Sequence, residues 1–245
     1  MTSSTSNSTH TNDVSARLPK IPSSDTEDER LALRNELRAE ARRARSEMPA
    51  PYRAHKSAEL CKRLEESLAL TLGITNTAAC DAVIAVYSAF PEEVDLCDFI
   101  DAVYAQGCQV AFPCMIRDAW GVSDDTIQTM EMRIVSAERF YRNDVPFLNN
   151  PLKRYNHADV DLEPYPYVSA KDLTMIVVPV VGFDARGNRL GYGAGNYDRY
   201  LSQFTALGKT DQTKACRIVG AAFAEQQVED IPVEEYDVPL AILAL

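Results

Sequence analysis

The stretch that most constrains the fold is residues 178–201, which reads VPVVGFDARGNRLGYGAGNYDRYL and holds five of the chain's ten glycines. It begins at the end of an apolar, β-branched run, 175–181, which predicts a buried strand. It ends with Tyr197, Tyr200 and Leu201 at helical spacing. The chain is therefore predicted to pass here from a strand, through a glycine-rich loop, into a helix.

The loop between strand and helix has features that suit an anion. Gly191, Gly193 and Gly195 remove side chains and tolerate positive φ, so backbone N–H groups can converge on a phosphate near the helix N-terminus. Arg189 adds a fixed positive charge, and Asp198 is placed to hold magnesium beside the phosphates. Since neither a Walker A loop nor a Gly-x-Gly-x-x-Gly motif is present, spacing alone favours nucleotide phosphate binding and a structural turn equally.

Length and charge limit what the chain can be. Its 245 residues are enough for one domain with a large buried core. A formal net charge of −11 argues against general binding to nucleic acid or to anionic membranes. No apolar run in the sequence reaches membrane-spanning length. We therefore predict no nucleic-acid partner and no membrane partner.

The N-terminal residues and the cysteines bear on domain limits and compartment. Residues 1–26 are rich in Ser, Thr and Asn, which predicts a disordered tail ahead of a single domain over 27–245. The six cysteines have neither Cys-x-x-Cys nor zinc-site spacing. Reduced thiols in a cytoplasmic protein are the better interpretation.

Hydrophobic periodicity predicts that helices and strands alternate along the chain. Helices are predicted over 27–46, 52–70, 96–106 and 196–207. Strands are predicted over 81–87, 109–112, 126–135, 175–181, 217–223 and 240–245, with Pro113 closing the second. This order favours an α/β domain with a largely parallel sheet, in which ligands bind at the carboxyl ends of the strands.

The first predicted helix has an apolar side and a basic side. Its apolar face is formed by Leu33, Leu37, Ala41 and Ala44. Its basic side carries an arginine at every fourth position, at Arg30, Arg34, Arg38 and Arg42. A solvated basic face is the ordinary interpretation, although an arginine ridge is less usual on an acidic protein.

Residues 182–201 follow the pattern Gly-Phe-Asp-x-x-Gly-x-Arg-Leu-Gly-x-Gly-x-Gly-x-Tyr-Asp-x-Tyr-Leu, which resembles the signature of the 5-formyltetrahydrofolate cyclo-ligases. The resemblance covers about 30–245 and includes a Glu-Val-Asp segment at Glu93 and an Asp-Val pair at Asp237. It implies a three-layer α/β fold with a largely parallel sheet, similar to the sugar-phosphate isomerase and CoA transferase-like fold.

The resemblance also implies an activity. Cyclo-ligases use ATP and Mg²⁺ to convert 5-formyltetrahydrofolate to 5,10-methenyltetrahydrofolate, with release of ADP and phosphate, through a phosphorylated formyl group. The expected partners are therefore ATP, as co-substrate, and 5-formyltetrahydrofolate, bound by a monomer. This chemistry needs alignment and charge neutralisation more than a protein nucleophile.

Residue roles follow from the resemblance position by position. ATP contacts are implied for Arg30, Arg34, Arg189, Leu190, Gly191, Tyr192, Gly193, Ala194, Gly195, Asn196 and Tyr197. Folate contacts are implied for Ser88, Glu93, Tyr192, Gly193, Ala194, Gly195 and Asn196. Arg189 and Tyr197 are the expected catalytic residues, and Asp198 and Asp237 the expected magnesium ligands.

Alternatives remain open at several positions. Glu93 could simply begin the following helix, where acids favour the dipole, and Asp237 could be an ordinary loop acid. Asn196 stands where the family often has a tyrosine, and Ala194 where glycine or lysine is common. Residues 141–171 match the family least and predict a long irregular segment, often a binding loop in compact domains.

Two other functions are compatible with such a chain. A divergent paralogue would bind nucleotide or folate as a regulatory or interaction module, without ATP turnover. A sugar-phosphate isomerase or CoA transferase on the same fold would turn over its substrate without ATP, and the pair of acids disfavours it.

Overall fold

The computed structural model describes residues 26–73, 81–117, 129–208, 216–234 and 237–245. The predicted tail, 1–26, lies outside these residues except for Thr26. Thr26 caps the first helix: its hydroxyl accepts from the N–H of Glu29, whose carboxylate accepts from the N–H of Thr26.

Six α-helices, nine strands and three short 3-10 helices make up the regular structure of the described residues. The helices are α1 Glu27–Glu47, α2 Ala50–Leu72, α3 Cys97–Ala105, α4 Ala137–Arg142, α5 Pro146–Asn149 and α6 Asn196–Gly208. The strands are β1 Val83–Ala85, β2 Gln109–Ile116, β3 Thr129–Val135, β4 Tyr167–Val168, β5 Leu173–Pro179, β6 Gly182–Phe183, β7 Arg189–Leu190, β8 Arg217–Ala222 and β9 Ala241–Ala244. The predicted alternation of helices and strands is confirmed.

A seven-stranded sheet in the order β4-β3-β2-β1-β5-β8-β9 forms the middle layer. The five strands from β2 to β9 in this order are parallel, whereas β3 and β4 run antiparallel at one edge. Helices α2 and α3 cover one face through Leu60, Leu64, Phe99 and Val103, among others. Helix α6 covers the other through Tyr200 and Leu201. The predicted three-layer α/β fold with a largely parallel sheet is confirmed.

Strand β2 is longer than predicted, because Pro113 does not end it. Pairing between β1 and β2 stops at Ala85 and Ala111. Pro113 lies beyond that point and pairs only with Met132 of the antiparallel neighbour β3. The strand continues to Ile116 because its pairing with β3 runs from Val110 to Ile116, past the point where pairing with β1 ends.

The buried face of α1 differs from the predicted apolar stripe. Leu37 and Ala41 are buried as predicted and pack on Leu190 of β7. The two outer positions of the buried face are Arg34 and Arg45, in place of Leu33 and Ala44. The helix thus turns two arginines toward the interior of the protein.

The segment 141–171 is partly ordered by local packing. Tyr155 and Tyr165 are 0% and 1% exposed, whereas Tyr167 is 40% exposed. Tyr155 is held to the end of β2, because its N–H donates to the Met115 carbonyl at 2.9 Å. Burial of Tyr155 and Tyr165 within the fold accounts for those two tyrosines without a ligand.

Two further findings concern the cysteines and the membrane. Free thiols are present at Cys61, Cys97, Cys114 and Cys216, as predicted, but Cys108 lies in a disulfide, so the prediction of reduced thiols is wrong there.

In the part of the chain that the structure describes, no helix is both long and apolar enough to cross a membrane.

Candidate active site

The carboxyl ends of the parallel strands carry the candidate site. Strand β5 ends at Pro179 and leads into the hairpin of β6 and β7, after which the chain forms the glycine loop, defined here as 191–195. Strand β1 is parallel to β5 and leads at the same edge of the sheet into 86–96. The topology therefore places the glycine loop and the Glu93 segment side by side.

Asp184 holds the turn between β6 and β7. Its carboxylate is 3% exposed and accepts from the backbone N–H groups of Arg186, Asn188 and Ile231 at 2.9, 3.0 and 3.1 Å. The Asn188 side chain donates to it at 2.8 Å. Gly187 has φ +83°, and a Cβ there would lie 2.5 Å from the Leu240 carbonyl oxygen. Residues 182–188 thus form a fixed turn that positions Arg189 at the start of β7.

We expect Asp184→Ala to lower the free energy of unfolding by about 3 kcal/mol, because several buried N–H groups lose a charged acceptor. Chemical denaturation at pH 7 measures this. Asp230→Ala is the control, since Asp230 pairs with Arg186 of this turn but its side chain is 81% exposed. Its loss of stability is expected to stay below about 0.5 kcal/mol. Equal losses in both variants would contradict the assignment.

The same contacts predict a pH dependence. Burial opposes ionisation of Asp184, but hydrogen bonds from Asn188 and the backbone outweigh it and lower the pKa of the carboxyl. A lowered pKa contributes stability above the unfolded value, about 4, which is lost as pH falls through the folded value. The stability gap between wild type and Asp184→Ala should therefore narrow below about pH 4.

Arg189 lies at the centre of the site. Its side chain is 5% exposed, Nη1 donates to the Val238 carbonyl at 2.5 Å, and Nη2 donates to Oδ1 of Asp198. Burial lowers the pKa of the guanidinium, while the charges of Asp198 and Asp237 act to raise it. The predicted catalytic arginine is thus paired directly with one predicted magnesium ligand.

Arg34 makes the corresponding pair with the second predicted magnesium ligand. Its Nη1 donates to Oδ2 of Asp237 at 2.6 Å and to the Pro232 carbonyl at 2.8 Å. Burial opposes the charge, but the hydrogen bond and the charge of Asp237 raise the pKa of Arg34 overall, and Asp198 also contributes. The two arginines and two acids therefore form one electrostatic cluster, although they come from distant parts of the sequence.

Two arginine side chains fix the glycine loop by donating hydrogen bonds to its backbone carbonyls. Arg38 Nε donates to the Gly191 carbonyl at 3.0 Å, and Arg199 Nη2 donates to the Ala194 carbonyl at 2.7 Å. Gly193 and Gly195 have φ of +101° and +66°, a region that favours glycine. None of the backbone N–H groups of 191–195 donates to an acceptor within the described residues. These donors are available to an anion.

Glu93 contacts the loop directly. The Tyr192 hydroxyl donates to Oε1 of Glu93 at 2.7 Å, and the Phe90 N–H donates to Oε2 at 2.9 Å. The rings of Phe90 and Tyr192 meet edge to face, with centroids 5.9 Å apart. Glu93 is 7% exposed. The structure thus joins the predicted folate carboxylate to the predicted phosphate loop.

The start of α6 contributes Asn196 and Tyr197. Asn196 Oδ1 accepts from Arg199 at 2.8 Å, and its amide nitrogen lies 3.9 Å from the Met115 sulfur. The Tyr197 hydroxyl is buried without a hydrogen-bond partner among the described residues. Burial, and then the charge of Glu93, raise the pKa of Tyr197. Its hydroxyl is therefore protonated at neutral pH and suited to donate to a ligand.

Other predicted residues are less closely engaged. Arg30 and Ser88 are exposed and form no side-chain hydrogen bond with another described residue. Leu190 is fully buried against α1, so only its backbone faces the loop. Sequence reasoning missed two contacts, those of Arg38 and Arg45. The arginine ridge contained a signal for Arg38, but nothing in the periodicity distinguished Arg45.

The acids suit magnesium in number and kind. No group of three or more His, Cys, Asp or Glu side chains is placed to hold a metal in the described ranges. Asp198 and Asp237 share one electrostatic cluster, and each is bound by an arginine. Magnesium is commonly held by one or two carboxylates together with water and substrate phosphates. Two acids beside a phosphate loop fit that pattern.

The sequence is similar to those of known cyclo-ligases. A 5-formyltetrahydrofolate cyclo-ligase of Haemophilus influenzae is 45% identical over 69 residues, an alignment that covers 28% of this chain and 33% of that protein. The Escherichia coli K12 cyclo-ligase is 27% identical over 157 residues, covering 64% of this chain and 74% of that one. The first of these alignments thus spans only a third of its relative.

Solved structures share the fold. The 5,10-methenyltetrahydrofolate synthetase of Mycoplasma pneumoniae superposes with a TM-score of 0.55 at 20% identity, covering 85% of this chain and 96% of that one. The Aquifex aeolicus synthetase gives a TM-score of 0.56 at 22% identity, with 86% and 89% covered. The family model of the 5-formyltetrahydrofolate cyclo-ligases matches residues 27–244. The chain therefore belongs to the 5-formyltetrahydrofolate cyclo-ligase family.

Proposed function

We propose that this protein catalyses the ATP- and Mg²⁺-dependent cyclisation of 5-formyltetrahydrofolate to 5,10-methenyltetrahydrofolate, with release of ADP and phosphate. The observation that carries the proposal is the contact between the glycine loop and Glu93 in a chain that matches the family over 27–244. A glycine loop suited to phosphate, in contact with a carboxylate suited to a pterin, supports the proposal.

The electrostatics support binding of a nucleotide triphosphate. Arg38 of α1 donates to the Gly191 carbonyl of the loop, and Arg34 and Arg189 add two further positive charges in the cluster with Asp237 and Asp198. The backbone N–H groups of 191–195, which have no acceptor among the described residues, would supply neutral donors to phosphate oxygens. Arg30, one turn before Arg34, is exposed and free to approach the outermost phosphate. Leu190, Ala194 and Asn196 would contribute through the backbone or the edge of the loop.

The folate side of the site rests on Glu93. A pterin presents an amino group and a ring N–H side by side, and an ionised carboxylate accepts two such bonds at once. Ser88 is exposed and lies in the same segment as Glu93, and Tyr192 of the loop donates to the Glu93 carboxylate; Ser88 and Asn196 are proposed folate contacts through the family resemblance. The buried Tyr197 hydroxyl would donate to a substrate oxygen.

The residues present define how the reaction would be assisted. A formamide oxygen is a poor leaving group. Transfer of the γ-phosphoryl group of ATP to that oxygen, with release of ADP, would activate the attached carbon for attack by the neighbouring folate nitrogen. Phosphate and the proton of that nitrogen would then leave. Arg189 and Arg34 would offset the charge of the transferred group, and the loop would hold it in line. No protein nucleophile is required.

Asp198 and Asp237 would hold magnesium, which supplies charge neutralisation to the phosphates when bound. Each acid is already oriented by an arginine. That pairing keeps both carboxylates in place in the absence of ligand and limits the net negative charge at the site. We further propose that the protein acts as a cytoplasmic monomer without nucleic-acid or membrane partners.

The decisive test is absorbance in the near-ultraviolet band of the methenyl product, with 5-formyltetrahydrofolate and Mg-ATP against a control without ATP. An ATP-dependent rise is expected. Absence of a rise, from folded protein that binds ATP, would contradict the proposal and favour a regulatory paralogue.

The magnesium ligands give a separate prediction. Asp198→Asn keeps a hydrogen-bond acceptor for Arg189 but removes the charge that attracts the metal, so we expect the Mg²⁺ concentration for half-maximal rate to rise at least about tenfold. Titration of MgCl₂ at fixed ATP measures it. Asp230→Asn, an exposed acid outside the cluster, is the control, and an unchanged magnesium requirement in Asp198→Asn would exclude the assignment.

A further inference from the structure

Arg45, near the C-terminal end of α1, has surroundings that the proposed reaction does not yet explain. Its side chain is 3% exposed, and the carboxylate of Glu92 lies 3.9 Å from Nη2. Nη2 also donates to the Tyr192 hydroxyl at 3.2 Å. Nε and Nη1 have no hydrogen-bond partner among the described residues. A buried guanidinium thus makes a single close hydrogen bond, and that bond goes to the glycine loop.

Packing alone does not account for an arginine here. Arg45 continues the buried face of α1 that includes Leu37 and Ala41, where an apolar residue of similar volume is commonly neutral or stabilising relative to a buried charge. A cation in the last turn does favour the helix dipole. That interaction does not require burial, and the neighbouring Arg43 is exposed in the same part of the helix.

The contact with Tyr192 has a consequence for Glu93. Because the Tyr192 oxygen accepts from Arg45, its single hydrogen is directed to Oε1 of Glu93, at 2.7 Å. Burial, and then the charge of Glu93, raise the pKa of Tyr192 overall, so the hydroxyl keeps that hydrogen. Arg45 therefore determines which way the hydroxyl donates, and the hydroxyl holds the carboxylate.

We propose that Arg45 is a positioning residue for folate recognition, which orients Glu93 through the Tyr192 hydroxyl. The inference rests on the proposed function. A carboxylate has about four acceptor positions, and the contacts to Tyr192 and Phe90 use two of them. Glu93 is thus fixed in direction but keeps acceptor capacity for the amino and ring N–H groups of a pterin.

The test is a double-mutant cycle with Arg45→Met and Tyr192→Phe. Arg45→Met keeps a long side chain in the buried stripe, and Tyr192→Phe keeps the ring against Phe90. Each single variant is expected to raise KM for 5-formyltetrahydrofolate roughly tenfold, with kcat within about twofold. The double variant should match the single variants, because both changes break one chain of hydrogen bonds.

Two further variants distinguish the loss of the Arg45–Tyr192 hydrogen bond from a general loss of positive charge. Arg42 lines a surface cleft together with Arg45 and Tyr192, but its side chain is exposed. Arg42→Met removes its positive charge, and KM for folate should stay within about twofold of wild type. Arg45→Lys retains a donor for Tyr192 and should recover part of the lost affinity. Thermal unfolding of every variant shows whether any change in KM follows from loss of fold.

Several outcomes would overturn the proposal. They are additive effects in the double variant, an equal rise in KM for Arg42→Met, or a fall in kcat and thermal stability without a rise in KM. Binding of 5-formyltetrahydrofolate, measured by titration calorimetry, decides the proposal independently of turnover. If wild type binds folate without cyclising it, the proposed function fails while the comparison of variant affinities still stands; if it does not bind folate, both fail.

Discussion

Replacing Arg189 by alanine is expected to lower kcat/KM for the cyclisation by about a thousandfold. The guanidinium is 5% exposed and already paired with Asp198, so it acts in a site with little water to screen its charge. A fixed positive charge in such a site stabilises the negative charge that accumulates during phosphoryl transfer far more than a surface arginine does. Steady-state rates at saturating Mg-ATP measure the loss.

Folding is checked separately, because Arg189 also bonds the Val238 carbonyl. Arg189→Lys keeps the charge but cannot bond the carbonyl and Asp198 with the same fork geometry, so an intermediate rate is expected. Arg186→Ala is the matched control from the same hairpin, with a side chain that is 53% exposed. Near-normal rates in folded Arg189→Ala would remove Arg189 from the catalytic machinery.

Glu93→Gln is expected to raise KM for 5-formyltetrahydrofolate about a hundredfold, because two charge-assisted hydrogen bonds to the pterin each contribute about 1.5 kcal/mol or more. Glutamine has nearly the same shape and can still accept from Tyr192, so the loop should keep its position. KM for ATP is therefore expected to change less than about twofold. Initial rates with each substrate varied in turn measure both constants.

The adjacent residue supplies the control. The Glu92 side chain is 48% exposed, and Glu92→Gln makes the same chemical change one residue earlier. Its KM for folate should remain near that of wild type. If the two variants behave alike, Glu93 merely begins the segment before α3 and another group binds the pterin.

Much of the architecture was predictable because local patterns and tertiary structure agree. The run 175–181 is apolar enough for a central strand, and β5 is buried by layers on both sides. Alternating glycines predicted a loop with positive φ, which Gly193 and Gly195 adopt. Pro113 misled because β2 has two neighbours: its pairing with β1 ends at Ala111, but its pairing with β3 continues to Ile116.

Hydrophobic periodicity did not predict which residues of α1 are buried. Leu33 and Ala44 extend the apolar pattern, yet Arg34 and Arg45 are the buried positions. Their partners, Asp237 and Tyr192, are 203 and 147 residues away along the chain. No local window contains such a pair, so hydropathy assigned both arginines to the solvent.

The sequence by itself determined the order of elements and the position of the glycine loop, because these depend on neighbouring residues and backbone preference. Only the tertiary structure decided that Arg189 pairs with Asp198, that Arg34 pairs with Asp237, and that Arg45 reaches Glu93 through Tyr192. The reason is physical. A buried charge is stable only beside its partner, and the partner's position is set by how parallel strands and the helices over them bring distant segments to one edge of the sheet.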